Sequence, residues 1–521
     1  MTAFERPLKS TILQRLRFPS KVKGILIGIA ITNLGILLGY LLYTPDTAEL
    51  TISILAILLI MLIIINNPLN GVLALLMLTP FIETWINIPM GAGLPDMSFS
   101  RFTVAFLAIF VLARAAIGKF HFAKASLVEI CIIATTLGIM VSAPLSVRPK
   151  GVLQMAITMH FIPLSLYFFA KNLVRNRDDL HKLFLVITVL GFVAASYAIY
   201  EQTTGNILFL EKGESLSYAQ HATGYYGHGL RIIRGLLGSS ANFGRVLACT
   251  IPITFYLFFE NKSASRKVLL MGMIAVQSYG IFLTYNRTSW YSLLISLSII
   301  QFFYPQFRKV YLVIVLIAAV VLWATWDQVN ESTVVQERVN SKVSTLEGRD
   351  ARWQAGYNMW RAKPIRGWGF GRYQTESGRF RTDGDTRNFQ AIENDYLHIL
   401  VGSGLLGFLP YLLFLLIPLL NSLRLFFRTR ASDWSGFVKP ETVTMYWAII
   451  LSFAMGSYAQ IQTELVVKMI PFAVAGAVVG SHTHLLHGLQ AKNVLLPIRP
   501  RLQSPQKRDK QSANQSTGIE R

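Results

Sequence analysis

Charged residues are scarce in this chain of 521 residues, and acidic ones are the scarcest. Only 15% of the residues are charged, and 27 Asp and Glu stand against 49 Lys and Arg. The mean hydropathy is +0.45. Many apolar segments follow one another, each near the length of about 17 or more residues that a helix needs to cross a bilayer. The composition therefore predicts a membrane protein.

Several other features are missing, and they narrow the class further. The apolar segments are continuous, so the alternating pattern of a membrane β-barrel is absent. Cys131 and Cys249 both fall inside apolar segments, which argues against a disulfide framework. No small-x-small cleavage site accompanies the apolar run 24–43. We therefore expect this run to be a first membrane helix rather than a signal peptide.

Cofactor motifs are missing too. The sequence has no Asp-rich box of the kind that holds a divalent ion on a diphosphate. The segment "RGWGFGRYQ" (366–374) lacks the spacing of a dinucleotide fingerprint, and no strand precedes it, so it predicts a tight turn. We expect no metal and no cofactor. Three histidines near the predicted cytoplasmic end are interpreted as interfacial: His482, His484 and His487.

The apolar runs predict an all-α polytopic fold with about 12–14 membrane helices. A large extracytoplasmic loop interrupts them. The predicted spans are 24–43, 49–65, 69–82, 101–117, 126–144, 151–170, 183–201, 242–260, 267–284, 288–304, 309–326, 394–420, 442–459 and 464–486.

Loop charges predict the orientation of these spans. The net charge of +22 could indicate a nucleic-acid binder, but the basic residues cluster in short loops, as the positive-inside rule describes. Both termini are then cytoplasmic. The predicted organisation is a basic N-terminus 1–23, membrane helices 24–201, an outer loop 202–241, membrane helices 242–326, a large outer loop 327–393, membrane helices 394–486 and a basic disordered tail 487–521.

Aromatic residues mark one part of the large outer loop. "GRDARWQAGYNMWRAKP" (348–364) places Trp353, Tyr357 and Trp360 on one face of an amphipathic helix that Pro364 stops. Such a helix either lies on the membrane surface with its aromatics at the headgroups or caps a site. Both interpretations stay open, and aromatic side chains would suit a sugar.

Arginines occur at the predicted outer ends of helices, where the positive-inside rule does not place them. Arg245 lies in "SSANFGRVLACT" and Arg287 in "LTYNRTSWYS", while Arg231 and Arg234 precede the Arg245 helix. Each could snorkel to the interface or pair with a carboxylate. Arg245 and Arg287, however, are both drawn into apolar segments, and a guanidinium fork matches two phosphate oxygens. We interpret them as phosphate ligands.

A polar cluster opens the helix in "IENDYLHILVGSGLLGFLPY" (392–411). Charged groups at the mouth of a membrane helix are costly unless they have a use. Glu393 could instead be a helix-start carboxylate that the helix dipole favours. Asn394, Asp395 and His398 share one helical face. Three further polar residues within apolar segments either form buried pairs or line a path: Glu129, His160 and Lys468.

Three stretches together resemble the O-antigen ligase and Wzy polymerase superfamily of bacterial polysaccharide assembly. They are "GLLGSSANFGRVLA" (235–248), "LTYNRTSW" (283–290), and the loop helix followed by "ENDYLHILVGSGLLGFL" (393–409). The resemblance covers about residues 235–420 and rests on order and spacing rather than on one strict motif. Where ligases carry His before Asn, this chain has Glu393.

The resemblance implies a GT-C-like fold and a metal-independent, inverting glycosyltransferase. Such proteins move a glycan from a polyprenyl diphosphate to an acceptor at the outer face of the bacterial inner membrane. Membrane lipid and possible flippase and chain-length regulator proteins would be partners, without nucleic acid. The implied roles are donor diphosphate binding by Arg245, Arg287 and Arg234, base catalysis by Glu393 or His398, and glycan binding by Trp353, Tyr357, Trp360, Asn394 and Asp395.

Three functions fit this pattern. The first is a polymerase that joins lipid-linked repeat units, and the second is a ligase that moves a finished glycan onto a lipid or protein. The third is a small-anion transporter. A transporter is expected to place its polar groups near the bilayer midplane on broken helices, whereas here they gather at the predicted outer rim. This placement argues against the transporter. Because Glu393 stands where ligases carry His, the sequence favours the polymerase, then the ligase.

Overall fold

The fold is described for most of the chain. A computed structural model describes residues 45–83, 86–88, 96–208, 225–226, 230–231, 233–324, 349–430, 434, 436–459 and 464–495. Within these ranges, eight helices are long and apolar enough to cross a membrane, so the all-α polytopic prediction is confirmed. The predicted span 24–43 lies outside the described residues, and every other predicted span coincides with a helix.

The described helices are numbered α1 to α15 in chain order. Their bounds are Pro45–Asn66, Pro68–Ile82, Phe99–Ala116, Leu127–Ser142, Pro149–Leu173, Arg177–Thr204, Ser240–Glu260, Ala264–Leu283, Arg287–Phe303, Pro305–Ala324, 349–362, Arg372–Glu376, Asp395–Thr429, Pro440–Ala459 and Leu465–Leu495. Two short antiparallel pairs join β1 (Asn87–Ile88) to β2 (Met97–Ser98) and β3 (Tyr225–Tyr226) to β4 (Leu230–Arg231). Helix α15 continues past the predicted boundary at 486.

Helix α7 is the most enclosed of the eight candidate spans. In its apolar stretch 89% of the residues are buried, against 33% in α3 and in α8. Small residues allow neighbouring helices to approach closely. A Cβ on Gly244 of α7 would lie 2.4 Å from the Ser289 hydroxyl oxygen of α9. The helix that carries Arg245 is therefore the centre of the bundle, with the start of α9 packed against it.

Polar contacts distinguish the two ends of the bundle. At one end, Arg177 and Lys439 both pair with Glu260, with 3.0 Å between the Lys439 Nζ and a Glu260 oxygen. At the other end, called the loop side here, Arg372 Nε donates to Leu145 O at 3.0 Å. The loop side holds residues 349–394, which the sequence predicts to lie outside. These contacts put Arg177, Glu260 and Lys439 at one end of the bundle and Leu145 and Arg372 at the other. The predicted alternation of inner and outer loops places them in the same way.

Glu129 forms a buried ion pair with Lys171. Its carboxylate lies 2.6 Å from Lys171 Nζ, and the Lys171 side chain is 1% exposed. The same Nζ donates to Lys124 O at 3.0 Å. Of the two possibilities that the sequence left open for Glu129, the described residues support a buried pair.

Helix α13 is broken, although the sequence predicts one continuous helix. Gly404 has φ 61° and ψ −160°, a conformation that is essentially restricted to glycine. The part after the break, 405–429, is itself longer than the about 20 residues that a crossing requires. The polar start of α13 therefore belongs to the structure on the loop side rather than to the membrane crossing.

The glycine-rich segment 366–374, which the sequence predicts as a tight turn, packs into this break together with the two residues before it. Leu405 N donates to Pro364 O at 2.9 Å, and Leu406 N donates to Ile365 O at 3.2 Å. Two amides of the turn donate in the other direction, from Trp368 to Val401 O and from Gly369 to Gly402 O, both at 2.9 Å. The backbone groups that a broken helix exposes are thus satisfied by the loop.

Candidate functional site

An open cleft of about 820 Å³ lies between the loop helix α11 and the loop-side ends of α13 and α14. Trp353 and Tyr357 line it from α11, and Tyr396 and Tyr458 line it from the other two helices. The Trp353 and Tyr458 ring centroids are 5.1 Å apart. A cleft walled by aromatic faces with a few polar groups suits a carbohydrate. Its remaining polar lining comes from Asp350, Gln354, Thr382 and Asn394.

Trp360, the third predicted aromatic, is turned away from the cleft lining. Its ring contacts Tyr357 at 5.4 Å between centroids, and it packs on a small apolar cluster under the loop. Burial in that cluster raises the pKa of Tyr373, whose hydroxyl donates to Arg352 O at 2.9 Å. Trp360 therefore holds α11 on its base, while Trp353 and Tyr357 face the cleft.

Glu393 lies between two arginines of α11. Its carboxylate is 3.0 Å from Arg349 Nε and 2.6 Å from Arg352 Nη1, and its side chain is 32% exposed. The backbone of Glu393 has φ 51°, which costs roughly 1–2 kcal/mol for a residue with a Cβ. Glu393 thus joins α11 to the start of α13.

Asn394 and Asp395 follow with different environments. The Asn394 side-chain oxygen accepts from Leu397 N at 2.9 Å and caps α13, while Asn394 also lines the cleft. Asp395 is buried and lies 3.4 Å from Lys468 Nζ of α15, with both side chains 2% exposed. The sequence singled out Lys468 as buried but did not pair it with Asp395. No local pattern links these two distant residues.

His398 lies one turn further along α13, beneath the glycine-rich turn. Its ring is 5.1 Å from the Phe370 ring, and it lines a small cavity of about 50 Å³. His160 and Lys468 interact with it electrostatically. His398 is half-buried, and it lines this small cavity rather than the large cleft.

His160 lies in a π-helical turn of α5, Ala156–Phe161. Such turns are frequent at functional sites. Its ring is 6.1 Å from the Tyr411 ring, and Lys468 Nζ lies 6.0 Å from the centroid of the same ring. Within the described residues, His160 Nδ1 and the Tyr411 hydroxyl are buried without a hydrogen-bond partner. A polar cluster therefore extends from Asp395 into the bundle.

Arg245 reaches the same region from the central helix. It is 2% exposed, and its Nη1 donates to Asn242 Oδ1 at 3.2 Å. Asp395 interacts with it electrostatically. A Cβ on Gly456 of α14 would lie 3.1 Å from Arg245 Cδ, so the absence of a side chain there makes room for the arginine. Arg245 and Lys468 are thus two buried cations, on different helices, that both interact with Asp395.

Arg287 lies at a helix start, and Arg234 lies in the segment that precedes α7. Arg287 is the first residue of α9, after Asn286, whose side-chain oxygen accepts from Ser289 N. Arg234 lines a different small cavity, of about 80 Å³, with Glu83 and Glu464. The Arg234 Nε donates to Gly238 O at 3.1 Å. The side chain of Arg231 lies outside the described residues.

Breaking the Asp395–Lys468 pair is expected to be costly. Removing one partner of a buried pair leaves an uncompensated charge and costs about 3–5 kcal/mol, whereas removing both often costs far less. We expect Lys468→Met to lower thermal stability in detergent strongly. The double variant Asp395→Asn with Lys468→Met is expected to recover most of that loss. Equal melting temperatures for single and double variants would contradict the pairing.

A metal site is not evident in the described part of the chain. No group of three or more His, Cys, Asp or Glu residues there is placed to hold an ion. Of the histidines near the end of α15, the structure describes only the backbone. The chemistry of the site is therefore considered from its arginines, lysine, carboxylates and imidazoles.

Comparison with known proteins identified one family. Residues 269–412 match the family model described as O-antigen ligase, which confirms the resemblance seen in the sequence. The matched segment includes Arg287, the loop helix and His398, while Arg245 and Lys468 lie outside it. No curated protein matched the chain. The family supports a role in polysaccharide assembly of the ligase or polymerase type.

Proposed function

We propose that this chain is a polysaccharide polymerase that joins polyprenyl-diphosphate-linked oligosaccharide units at the outer face of the bacterial inner membrane. One observation carries the proposal. Asp395, which interacts with the buried cations Arg245 and Lys468, directly follows Asn394, and Asn394 lines an aromatic cleft of about 820 Å³. Buried cations beside an aromatic cleft suit a donor that is a lipid diphosphate at one end and a sugar at the other.

The proposed reaction is a direct displacement. The acceptor hydroxyl oxygen forms a bond to the anomeric carbon while the bond from that carbon to the diphosphate oxygen breaks, so the configuration inverts. The leaving diphosphate takes the electron pair. Arg245 and Arg287 hold it, with Arg234 further along the rim, because preorganised donors stabilise charge where it develops. The arginines supply the positive charge, and we propose that the reaction needs no metal.

A base must take the proton of the acceptor hydroxyl, and Glu393 and His398 are the two candidates. One carboxylate oxygen of Glu393 is 3.0 Å from Arg349 Nε and the other is 2.6 Å from Arg352 Nη1, so both oxygens are already engaged. His398 is half-buried and faces the turn of the outer loop, and imidazole is the commonest general base. We therefore propose His398 as the base and Glu393 as the residue that positions α11 and the start of α13.

Two variants separate these roles. His398→Gln is expected to lower the turnover at least about 100-fold, since a positioned base contributes about 10²–10⁴-fold. Glu393→Gln keeps the size and removes the charge, and we expect less than about a tenfold loss. The measurement is the rate of glycan transfer at equal protein level in the membrane. A loss in Glu393→Gln as large as that in His398→Gln would return the base to Glu393.

The ligase is the second candidate, and it is supported by the description of the matched family, O-antigen ligase. Transport is less well supported, because the backbone groups at the Gly404 break bond to the loop rather than facing a path. The test is a strain that lacks the protein, with its polyprenyl-diphosphate glycans sized by mass spectrometry. Single repeat units on the carrier support the polymerase, and long finished polymers support the ligase. An unchanged carrier pool with intact surface glycan would exclude both.

A further inference from the structure

Three cations of the outer loop lie together on an exposed segment, residues 361–366. Arg361, Lys363 and Arg366 are exposed, and Ile365 between them is 61% exposed. Among the described residues, none of the three cations forms an ion pair. Arg361 lies 6.0 Å from the Tyr357 ring centroid, and Lys363 Nζ lies 3.9 Å from that of Trp368. The segment thus presents positive charge and one apolar side chain to its surroundings.

The other described cations of this loop are used differently. Arg349 and Arg352 pair with Glu393. Arg379 pairs with Glu376 at 2.9 Å, and Arg387 pairs with Asp385 at 2.8 Å. Each of these cations has a carboxylate partner within the loop. The segment 361–366 therefore stands apart as the part of the loop whose charge the described residues leave available to an external anion.

Backbone hydrogen bonds fix where this segment lies. Pro364 and Ile365 accept from Leu405 and Leu406, the first residues after the break in α13. Leu405, Leu406 and Leu409 are 39%, 43% and 48% exposed. Exposed leucines on a helix that crosses a membrane face lipid. The cations are thus held at the level where the lipid-facing surface of α13 begins.

We propose that residues 361–366 bind the anionic headgroups of phospholipids in the leaflet on the loop side. Arginine and lysine at an interface extend their charged ends to the headgroups while their stems cover apolar surface. The exposed Ile365 reaches the boundary with the acyl chains. The site fixes α11, and with it the aromatic cleft, relative to the membrane surface. It does not depend on the reaction proposed above.

Lipid retention tests this site. The double variant Lys363→Gln with Arg366→Gln removes two cations from the segment. The control, Arg379→Gln with Arg387→Gln, removes two ion-paired cations from the same loop, whose side chains are 80% and 87% exposed. Detergent-purified proteins are incubated with phosphatidylglycerol or phosphatidylcholine, and bound lipid is counted by native mass spectrometry. We expect the segment variant to retain at least about fivefold less phosphatidylglycerol, with the control unchanged.

Other outcomes overturn the proposal. Equal losses in the segment variant and the control would show that only the net charge of the loop matters. Equal retention of phosphatidylglycerol by the wild type and the segment variant would show that the cations bind no lipid. Displacement of the lipid by millimolar inorganic phosphate would identify a site for a free anion instead. A second variant, Ile365→Ser, keeps all charges and is expected to weaken retention of phosphatidylglycerol to a smaller extent.

Discussion

Arg245→Lys is expected to lower glycan transfer at least about 100-fold, since loss of one preorganised donor to a developing anion costs about 10²–10³ in rate. Lysine keeps the positive charge but loses the planar fork that binds two phosphate oxygens. It also loses the geometry that joins the side chain to Asn242. The measurement is the turnover of lipid-linked substrate by membranes that contain equal amounts of each variant.

The exposed Arg379 supplies the matched control, because Arg379→Lys makes the same chemical change on the same loop-side face. We expect that variant to keep full activity. Arg287→Ala is expected to abolish activity without loss of protein from the membrane. If Arg245→Lys transferred glycan at the wild-type rate, the proposed binding of diphosphate by this fork would be wrong. A variant that disappeared from the membrane would point to a structural role for the arginine.

Gly404→Ala is expected to destabilise the protein by about 2 kcal/mol or more and to remove most of its activity. Alanine is strained at φ 61° and ψ −160°. Its Cβ would lie 2.3 Å from Ile365 O, which must then move away from the Leu406 amide. The four hydrogen bonds between the turn and the break would be weakened together. Because this junction positions His398 and the cleft, thermal stability and turnover should fall in parallel.

Gly272→Ala is the control for this change. Gly272 lies within α8, and a Cβ there would meet no atom within 4 Å. Alanine is favoured over glycine inside a helix by about 1 kcal/mol, so we expect an unchanged or slightly higher melting temperature and full activity. Similar melting temperatures for the two alanine variants, measured in the same detergent, would show that the junction at Gly404 contributes little.

Much of the fold was predictable because its signals are local. An apolar run of about 20 residues must form a helix in a bilayer, and the predicted spans in the described part of the chain coincide with helices. The loop helix could also be predicted from the sequence, because the spacing of Trp353, Tyr357 and Trp360 is helical and Pro364 ends the helix. The glycine-rich segment forms the turn that its glycines predict, but its place in the break of α13 could not be predicted from the sequence.

The site was predictable only in part. The sequence named Arg245 and Asp395 as polar groups at helix ends, and in the structure both are buried and interact electrostatically. The sequence also named Glu393. The two partners of this carboxylate, Arg349 and Arg352, come from another segment, so only the folded loop reveals that the carboxylate is already engaged. Whether each predicted residue acts on substrate stays a prediction until the variants are measured.

By itself, the sequence determined that the chain is a helical membrane protein, where its helices run and which polar residues gather at one set of helix ends. These properties follow from hydrophobic length and from helical spacing, which act within single segments. The tertiary structure decided the rest: the pairing of Asp395 with Lys468, the break at Gly404 and the turning of Trp360 away from the cleft. Each depends on how segments distant in sequence pack, and a buried charge or an unpaired amide selects its partner only once that packing brings the two together.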